Sequence, residues 1–425
     1  MGIDFYKEFG EYGYLANYSP YGFIVDGVYY PTAEHYYQSE KFDDVKIKNQ
    51  IIACSTPKEA SMIGRRRDLP RKKNFHDQKL FVMYQGVLEK FRQNPDIRSK
   101  LIESRNQEIR EMTVKENYWG MGPLLDGENH MGKILMMVRE QVKFEVLQSI
   151  INQAREGKVY VIGHRHPDPD SVFSSLILTH ILRSYGIDAV FTVRDEEFVD
   201  SKLILDFLKE EYEVVHNYSG KRFILVDHNH LDEIDSSSVI GAIDHHIISK
   251  EVDNLIEAEY ASTGLLLYDL FKNQYDFSDQ EKLLIGLTVL SDTEYLVSSR
   301  FQEEDRKLYE ELNLGIDERN YQKKYFTTTD FSDSISRNIY KDYKEYSYQG
   351  CTIKRSMITS YHDDWEHYYS DYIVEIHKSD INLLIWCDYE SKSTYVSYNG
   401  KEFIFPFFTT STNLVLKYLE KEKVL

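Results

Sequence analysis

The sequence predicts a multidomain protein of mixed α/β and α+β architecture. A mainly helical N-terminal domain precedes a doubly wound parallel sheet and a small C-terminal α/β lobe. The chain has 425 residues, more than one hydrophobic core usually holds. Apolar runs between residues 158 and 292 repeatedly end in acidic or imidazole side chains, as strands of open α/β sheets do at their sites. From about Tyr346 onward the residues alternate in a strand-like pattern.

Composition narrows the class of protein. Hydrophobic residues make up 42% of the chain, but no apolar run reaches the length of a membrane span, so no membrane association is expected. The net charge is −19, and residues 1–150 are nearly balanced, so the acidic excess lies in the remainder. Long duplex nucleic acid is therefore not an expected partner. Three cysteines without paired spacing predict a reduced, cytoplasmic protein.

Short apolar segments alternate with helical patterns in the N-terminal domain, which we place at residues 1–150. Asp26-Gly27 between two apolar runs predicts a β-hairpin. Four helical patterns follow. They are a helix capped by Thr32 and running to Phe42, one beginning near Thr56-Pro57 with Ala60 and Met62 facing inward, one over residues 77–91, and one over residues 129–140 that is expected to end before residue 150.

Two stretches of this domain carry side chains suited to chemistry. PTAEHYYQSEKF places Glu34, Gln38 and Lys41 within two helical turns, so they share roughly one face. ENYWGMGPLLDGENHMG is a glycine-containing loop too polar and flexible to form a core. Its notable side chains are Glu116, Trp119, Asp126 and Asn129. The alternative interpretation is a pair on a helix surface and a flexible connection.

Together with LANYSPYGF, STPKEASMIGR and LEKFRQNP, these stretches resemble the NADAR superfamily (NAD- and ADP-ribose-associated). The resemblance implies cleavage of an N-glycosidic bond to a phosphorylated ribose. That reaction passes through an oxocarbenium-like cation, which a neighbouring carboxylate stabilises. The implied roles are Glu34 as the main carboxylate, Asp126 or Glu116 assisting, Trp119 with Tyr36 or Tyr37 stacking on the base, Arg65 or Lys41 holding the phosphate, and Asn129 contacting substrate.

One position departs from the NADAR pattern. Glu116 stands where the family usually has an aspartate before the Trp-Gly pair, so the role of Glu116 stays open. The basic run from Arg65 to Lys73 also has two interpretations, a phosphate contact or a solvated helix end.

Four apolar runs organise the central domain, which we place at residues 158–325. In VYVIGHRHPDPDS a buried strand leads through a polar turn into a helix. The other runs are FILVDHN, GAIDHH and LLIGLTVLSDT. If their ends meet at one sheet edge, the gathered acids would repel one another unless a cation neutralised them. The pattern therefore predicts a dinuclear metal site.

These runs resemble the DHH phosphoesterase superfamily, and most closely the manganese-dependent (family II) inorganic pyrophosphatases. The implied ligands are His164 and Asp168 for one metal, Asp170, His245 and Asp292 for the other, and Asp227 bridging both, with His246 facing the substrate phosphate. The implied cofactors are two divalent ions, Mn²⁺ first, with Mg²⁺ or Co²⁺ as alternatives. The superfamily also contains polyphosphatases and phosphodiesterases, so the substrate stays open.

The C-terminal lobe is placed at residues 345–425. QGCTIKRSMITS, YIVEIHK, INLLIWCDY and STYVSYNGKEFIFPF are predicted as strands, with Asn399-Gly400 as a hairpin turn, and residues 412–421 as a helix. In pyrophosphatases this lobe supplies an Arg-Lys pair to the substrate, whereas here Lys401 is present without the arginine. Lys354 and Arg355 are further candidate phosphate contacts, or ordinary charges on a strand surface.

Three functional hypotheses follow. The first is a bifunctional hydrolase that cuts a base–ribose bond and a phosphoanhydride or phosphodiester. The second is a NADAR-like nucleotide sensor that regulates a DHH phosphohydrolase in a nucleotide-depleting defence. The third is a manganese-dependent pyrophosphatase with an accessory domain. The expected partner is a small nucleotide or phosphorylated ribose, and a homodimer is compatible with the sequence.

Overall fold

Helices dominate the N-terminal part of the chain in the computed structural model. The model describes residues 2–194, 199–231, 234–246, 252, 254–293, 296, 298, 301–314, 329, 331–341, 343–360, 365–388, 393–405 and 412–423. The N-terminal elements are β1 (Ile3–Phe5), β2 (Phe23–Val25), β3 (Val28–Tyr30), α1 (Ala33–Ser39), α2 (Val45–Ile52), α3 (Pro57–Gly64), α4 (Phe75–Gln93), α5 (Pro95–Glu103), β4 (Ile109–Glu111) and α6 (His130–Ala154).

Strands and helices alternate in the central part of the chain. Its elements are β5 (Val159–Ile162), α7 (Pro169–Ser184), β6 (Ala189–Val193), α8 (Val199–Leu208), β7 (Glu213–Val214), β8 (Phe223–Val226), β9 (Val239–Asp244), β10 (Leu255–Glu257), α9 (Thr263–Phe271), α10 (Asp279–Asp292) and α11 (Glu303–Glu311). The C-terminal elements are α12 (Ile335–Lys341), β11 (Tyr343–Tyr348), β12 (Cys351–Ser360), α13 (Trp365–Ile376), β13 (Leu383–Asp388), β14 (Ser393–Tyr398), β15 (Lys401–Ile404) and α14 (Thr412–Lys421).

The chain forms two units that interleave along the sequence. The first comprises residues 1–156, 229–232 and 239–259, and the second comprises residues 157–228, 233–238 and 260–425. In the first unit, β1 pairs with β4 and β9 with β10, both in parallel, while β2 and β3 form an antiparallel hairpin. In the second unit, β5 pairs in parallel with β8 and with β6, and β7 continues beyond β6.

Local chemistry explains why the N-terminal elements begin where predicted. The hairpin turn has φ of 49° at Asp26 and 79° at Gly27, the left-handed values that a two-residue turn requires. The side chain of Thr32 accepts a hydrogen bond from the backbone N–H of His35 and so caps α1. Thr56 and Glu59 form a capping box at the start of α3.

Three N-terminal predictions were wrong. Helix α1 ends at Ser39 rather than at Phe42. In α3, Ala60 is buried as expected, but Met62 is 64% exposed because it lies on the opposite face. Helix α6 does not end before residue 150 but continues to Ala154. Its last turns bury Ile150 and Ile151, and a Cβ at Gly241 of β9 would lie 2.5 Å from Ile150, so packing on that strand sustains the helix.

The C-terminal lobe is a five-stranded sheet with helices on both faces, which confirms the predicted small α/β lobe. Its strand order is β11-β12-β13-β14-β15, antiparallel except between β12 and β13. Residues alternate between the faces along β13. Leu383 and Ile385 pack with Leu416 of α14, whereas Leu384 and Trp386 lie in the core cluster on the other side.

The prediction of a strand at YIVEIHK was wrong, because residues 372–376 lie in α13. Tyr372, Ile373 and Ile376 are all buried in one core cluster, which is the spacing of a helix face rather than of a strand. The strand-like alternation of this stretch produced the wrong prediction. The Asn399-Gly400 hairpin was correct, with φ of 48° and 77° at the two turn residues.

In the chain as described, no helix is long and apolar enough to span a membrane.

Candidate functional site

A line of buried polar side chains runs along one face of α1 and into the turn that follows it. Gln38 donates from Nε2 to Oε1 of Glu34 over 2.8 Å, and Lys41 Nζ donates to Oε1 of Gln38 over 2.5 Å. Glu34, Gln38 and Lys41 are 5%, 3% and 8% exposed. Glu34 and Gln38 share a face of α1 as predicted, whereas Lys41 lies two residues beyond the end of the helix. The amide of Gln38 lies between the carboxylate and the ammonium group.

Burial is the largest influence on the pKa values of the two charged residues in this line, Glu34 and Lys41. Burial raises the pKa of Glu34, although hydrogen bonds from Gln38 and the charge of Lys41 oppose the shift. Burial lowers the pKa of Lys41 to about 8, with Glu34 acting in the opposite direction. Because a buried charge is costly without partners, each group supports the ionised form of the other.

Helix α3 approaches this line at Gly64. A Cβ at Gly64 would lie 2.0 Å from Oε1 of Gln38, so only glycine permits the approach. Arg71 donates from Nη2 to the Gly64 carbonyl over 3.1 Å. The positive charge of Arg65, the exposed residue directly after α3, also acts on Glu34. The guanidinium group of Arg65 therefore acts on the buried carboxylate, while Arg71 binds the end of α3.

The two neighbouring tyrosines of α1 have different surroundings, since Tyr36 packs in the hydrophobic core and Tyr37 lies beside Trp119 and Lys41. Tyr36 packs against Phe23 and Tyr30, with ring centroids 5.9 and 5.0 Å away. Tyr37 instead lies 5.6 Å from the Trp119 ring, and Lys41 Nζ lies 5.0 Å from the Tyr37 centroid. Of the two tyrosines, Tyr37 is therefore the one beside Trp119 and Lys41.

The loop after β4 holds the remaining predicted residues of this domain. The Glu116 carboxylate accepts hydrogen bonds from the backbone N–H groups of Tyr118 and Trp119, at 3.0 to 3.1 Å. Asn129 is buried with φ of 48°, donates to the carbonyl of Ile109 at 2.9 Å and accepts from the N–H of Glu111 at 3.0 Å. Asp126 is exposed on the same loop.

Glu111 is a residue that sequence reasoning missed. Burial raises its pKa to about 7, and the negative charges of Glu116 and Glu34 add to the shift. Its backbone is fixed on both sides, because its N–H donates to Asn129 and its carbonyl accepts from Met121 N–H at 2.8 Å. The IRE triplet resembles any short edge strand, so only its proximity to Glu34 reveals it.

A second cluster lies at the carboxyl ends of β5 and β8, the strands that the runs VYVIGHRHPDPDS and FILVDHN predicted. His164 Nε2 lies 3.3 Å from Oδ2 of Asp227 and 3.7 Å from Oδ2 of Asp168. Asp168 also caps α7, accepting from Ser171 N–H at 2.9 Å. Burial opposes a charge on His164, but the two carboxylates outweigh it and raise its pKa to about 11. The three side chains offer donor atoms within 4.8 Å of one another.

Asp170 and Asp292 lie close together in the same unit. Each offers a carboxylate oxygen within 4.8 Å of the other, Asp170 from the first turn of α7 and Asp292 from the last residue of α10. Asp170 is fully buried and accepts from Ser174 Oγ at 2.7 Å. The clusters combine carboxylate oxygens with imidazole nitrogen, a donor set that fits Mn²⁺, Mg²⁺ or Co²⁺.

The other predicted residues follow β9 or begin β15. His245 and His246 follow β9 in the first unit, with ring centroids 4.1 Å apart. His246 is held to Asp244 Oδ1 by both its backbone N–H and its Nδ1, each at 2.9 Å. Lys401 is exposed and begins β15, directly after the Asn399-Gly400 turn.

Fold and sites together define a multidomain α/β enzyme with a buried carboxylate centre in one unit and an acid–imidazole cluster in the other. Residues 4–143 match the NADAR domain, and residues 158–291 match the DHH family, N-terminal domain. The chain therefore belongs to the NADAR family through its N-terminal domain and carries a DHH domain after it, and it is a hydrolase.

Three known proteins illustrate the similarity. N-glycosidase Npun_R5314 of Nostoc punctiforme is 37% identical over 146 residues, which are 34% of this chain and 94% of that protein. N-glycosidase YbiA of Escherichia coli is 36% identical over 143 residues, which are 34% and 89% of the two chains. The crystal structure of a putative family II inorganic pyrophosphatase from Methanococcus jannaschii is 19% identical, covers 62% of this chain and 98% of that one, and gives a TM-score of 0.43.

Proposed function

We propose that the chain is a bifunctional hydrolase. Its NADAR domain hydrolyses the N-glycosidic bond of a (phospho)ribosyl or ADP-ribosyl nucleotide-type substrate. Its DHH domain is a dinuclear-metal phosphohydrolase that cleaves a phosphoanhydride or a phosphodiester. The observation that carries the first activity is the buried Glu34 carboxylate, which is hydrogen-bonded by Gln38 and stands beside cations. The names of the N-glycosidase relatives support the same reaction class.

The residues around Glu34 have complementary roles in this reaction. The Glu34 carboxylate stabilises the oxocarbenium-like cation that forms as the base departs. Lys41 and Arg65 bind the substrate phosphate, since both cations act on Glu34 and therefore lie near the reacting carbon. The Trp119 ring, held against Tyr37, stacks on the base.

We assign Glu111 as the general acid that protonates the departing base. A pKa of about 7 keeps a large fraction of this carboxyl protonated at neutral pH, which suits proton donation. Glu116 is the less suitable acid because both of its oxygens already accept backbone hydrogen bonds. We therefore propose that Glu116 orients Trp119, and that Asp126 and Asn129 shape the loop that covers the base.

In the DHH domain, we propose that His164 and Asp168 hold one ion, Asp170, His245 and Asp292 hold the other, and Asp227 bridges them. Bound Mn²⁺ ions would lower the pKa of a coordinated water and neutralise charge on the phosphate. The chain itself supplies the orientation, since Ser171 fixes Asp168 and Asp244 fixes His246. His246 and Lys401 are the proposed contacts to the substrate phosphate.

The fusion suggests a shared metabolite, because the first reaction releases a phosphorylated ribose and the second can cut a phosphate linkage.

We propose a cytoplasmic location, supported by three cysteines that form no disulfide: Cys54, Cys351 and Cys387.

A nucleotide panel tests both activities at once. NAD, ADP-ribose, a cyclic dinucleotide and pyrophosphate are incubated with the full chain and Mn²⁺, and the products are resolved by mass spectrometry. We expect a free base from a ribosyl nucleotide and a phosphate product. Ligand binding without base release would instead indicate a sensing domain. Cleavage of pyrophosphate alone would indicate a pyrophosphatase with an accessory domain.

A further inference from the structure

Thr263 contacts two of the proposed metal ligands at once. Its backbone N–H donates to Oδ2 of Asp170 over 2.6 Å, and its Oγ1 donates to Oδ1 of Asp227 over 3.0 Å. The three residues are at most 1% exposed. Asp170 lies on α7 and Asp227 follows β8, so Thr263 at the start of α9 joins carboxylates from two distant elements.

Further donors complete the arrangement around Asp170. Gly264 N–H donates to Oδ1 of Asp170 over 3.0 Å, and Ser174 Oγ donates to the same oxygen over 2.7 Å. With the N–H of Thr263, Asp170 therefore accepts from three donors. Two of them, the N–H groups of Thr263 and Gly264, lie at the N-terminus of α9, where the helix dipole favours a carboxylate. The orientation of Asp170 is therefore set mainly by α9 rather than by its own helix.

The start of α9 is in turn fixed to the helix that carries Asp292. Ser262 caps α9, and its Oγ lies 2.8 Å from Oγ1 of Thr288 on α10. A Cβ at Gly264 would lie 2.3 Å from the same Thr288 oxygen, so the two helices approach too closely for any other residue. Thr263 therefore stands on a rigid segment, and α10 ends four residues after Thr288, at Asp292.

We propose that Thr263 is the positioning residue that sets the spacing of the two metal ions. Its hydroxyl orients the carboxylate of Asp227, the proposed bridging ligand. Its backbone N–H orients the carboxylate of Asp170, a proposed ligand of the second ion. Asp227 has a strained φ of 62°, which its surroundings must stabilise. Removing a hydrogen bond to a metal-ligating carboxylate commonly lowers metal affinity by roughly 10- to 100-fold. The inference rests on the proposed dinuclear centre.

The test uses the full chain and three variants. Thr263→Val keeps the shape and the backbone N–H but removes the hydroxyl, whereas Thr263→Ser keeps the hydroxyl. Thr179→Val is the matched control, since Thr179 is equally buried but donates only to the Ser175 carbonyl within α7. Mn²⁺ stoichiometry and affinity are measured by calorimetry. Electron paramagnetic resonance distinguishes a spin-coupled Mn²⁺ pair from isolated ions.

We expect two coupled Mn²⁺ ions in the wild type, Thr263→Ser and Thr179→Val. In Thr263→Val we expect loss of the coupled spectrum and an affinity lower by about 10-fold or more at one site. A coupled pair of unchanged affinity in Thr263→Val would overturn the role of Thr263. Failure of the wild type to bind two ions would instead overturn the proposed centre. Circular dichroism checks folding, and Thr263→Ala replaces Thr263→Val if the valine variant is unfolded.

Discussion

The side-chain amide of Gln38 donates a 2.8 Å hydrogen bond to Oε1 of Glu34. This bond holds the carboxylate in one orientation, because the opposite end of the same amide accepts from Lys41. The buried carboxylate is thereby held by an amide rather than by the Lys41 ammonium itself, which leaves its charge available to a substrate cation.

Glu34→Gln should abolish most base release while preserving ligand binding. Glutamine has the shape of glutamate but no negative charge, so we expect a loss of roughly 10²- to 10³-fold in kcat for base release. Base release is followed by chromatography and ligand affinity by calorimetry. The matched control is Glu59→Gln on neighbouring α3, where glutamine also serves in a capping box. A Glu34→Gln enzyme of near wild-type rate would contradict the assignment.

Gly64→Ala should impair only the NADAR reaction. Its Cβ would meet Oε1 of Gln38 at 2.0 Å, so Gln38 must move and its bonds to Glu34 and Lys41 must lengthen. Misplacing a catalytic group by about 1 Å costs up to roughly 10²-fold, so we expect a fall of about 10- to 100-fold in kcat/KM for base release. Phosphate-product formation by the same sample is the internal control, and an equal fall in both reactions would point to general misfolding.

Glu111→Gln should change the pH dependence of base release. As a general acid with a pKa of about 7, Glu111 loses its proton as the pH rises, so the wild-type kcat/KM should fall above pH 7. The glutamine variant should have a lower kcat/KM, and this fall should be absent from its pH profile. Rates are measured from pH 5 to 9 in buffers of constant ionic strength. An identical falling limb in the variant would assign it to another group.

The same substitution should stabilise the protein at alkaline pH. The folded-state pKa of Glu111 lies near 7, above the ordinary value of 4.5, so the folded state binds the proton more tightly. The associated stability is complete below about pH 4.5 and is lost as the pH rises through 7. Discounted for partial exposure, the cost of the charge at pH 8 is about 1–2 kcal/mol. Glu111→Gln should therefore raise Tm at pH 8 and leave it nearly unchanged at pH 4.5.

Removing metal should destabilise the DHH domain. An ion that binds only the folded state adds about 2.7 kcal/mol at a concentration 100 times its Kd, so EDTA should lower Tm and Mn²⁺ should restore it. Asp227→Asn should lose this response together with the phosphohydrolase activity. Asp279→Asn, at the first residue of α10, is the control for a carboxylate outside the cluster. A Mn²⁺ response that persists in Asp227→Asn would place the ions elsewhere.

Local patterns predicted well wherever a few neighbouring residues decide the outcome. Turn pairs with positive φ and capping side chains act within four residues, so the hairpins at Asp26 and Asn399 and the cap at Thr32 were correct. The errors arose where a distant surface decided. Helix α6 continues because β9 packs against Ile150, and residues 372–376 are helical because they pack as a helix face against the C-terminal sheet.

The sequence alone determined which side chains are available and their spacing along single elements. Glu34 and Gln38 share a face because a helix repeats every 3.6 residues, and His164 lies near Asp168 because both stand on one turn. Only the tertiary structure brought Glu111 near Glu34 and placed Thr263 between Asp170 and Asp227. These relationships join residues 36 to 93 positions apart, and they depend on how buried elements pack, which no local spacing encodes.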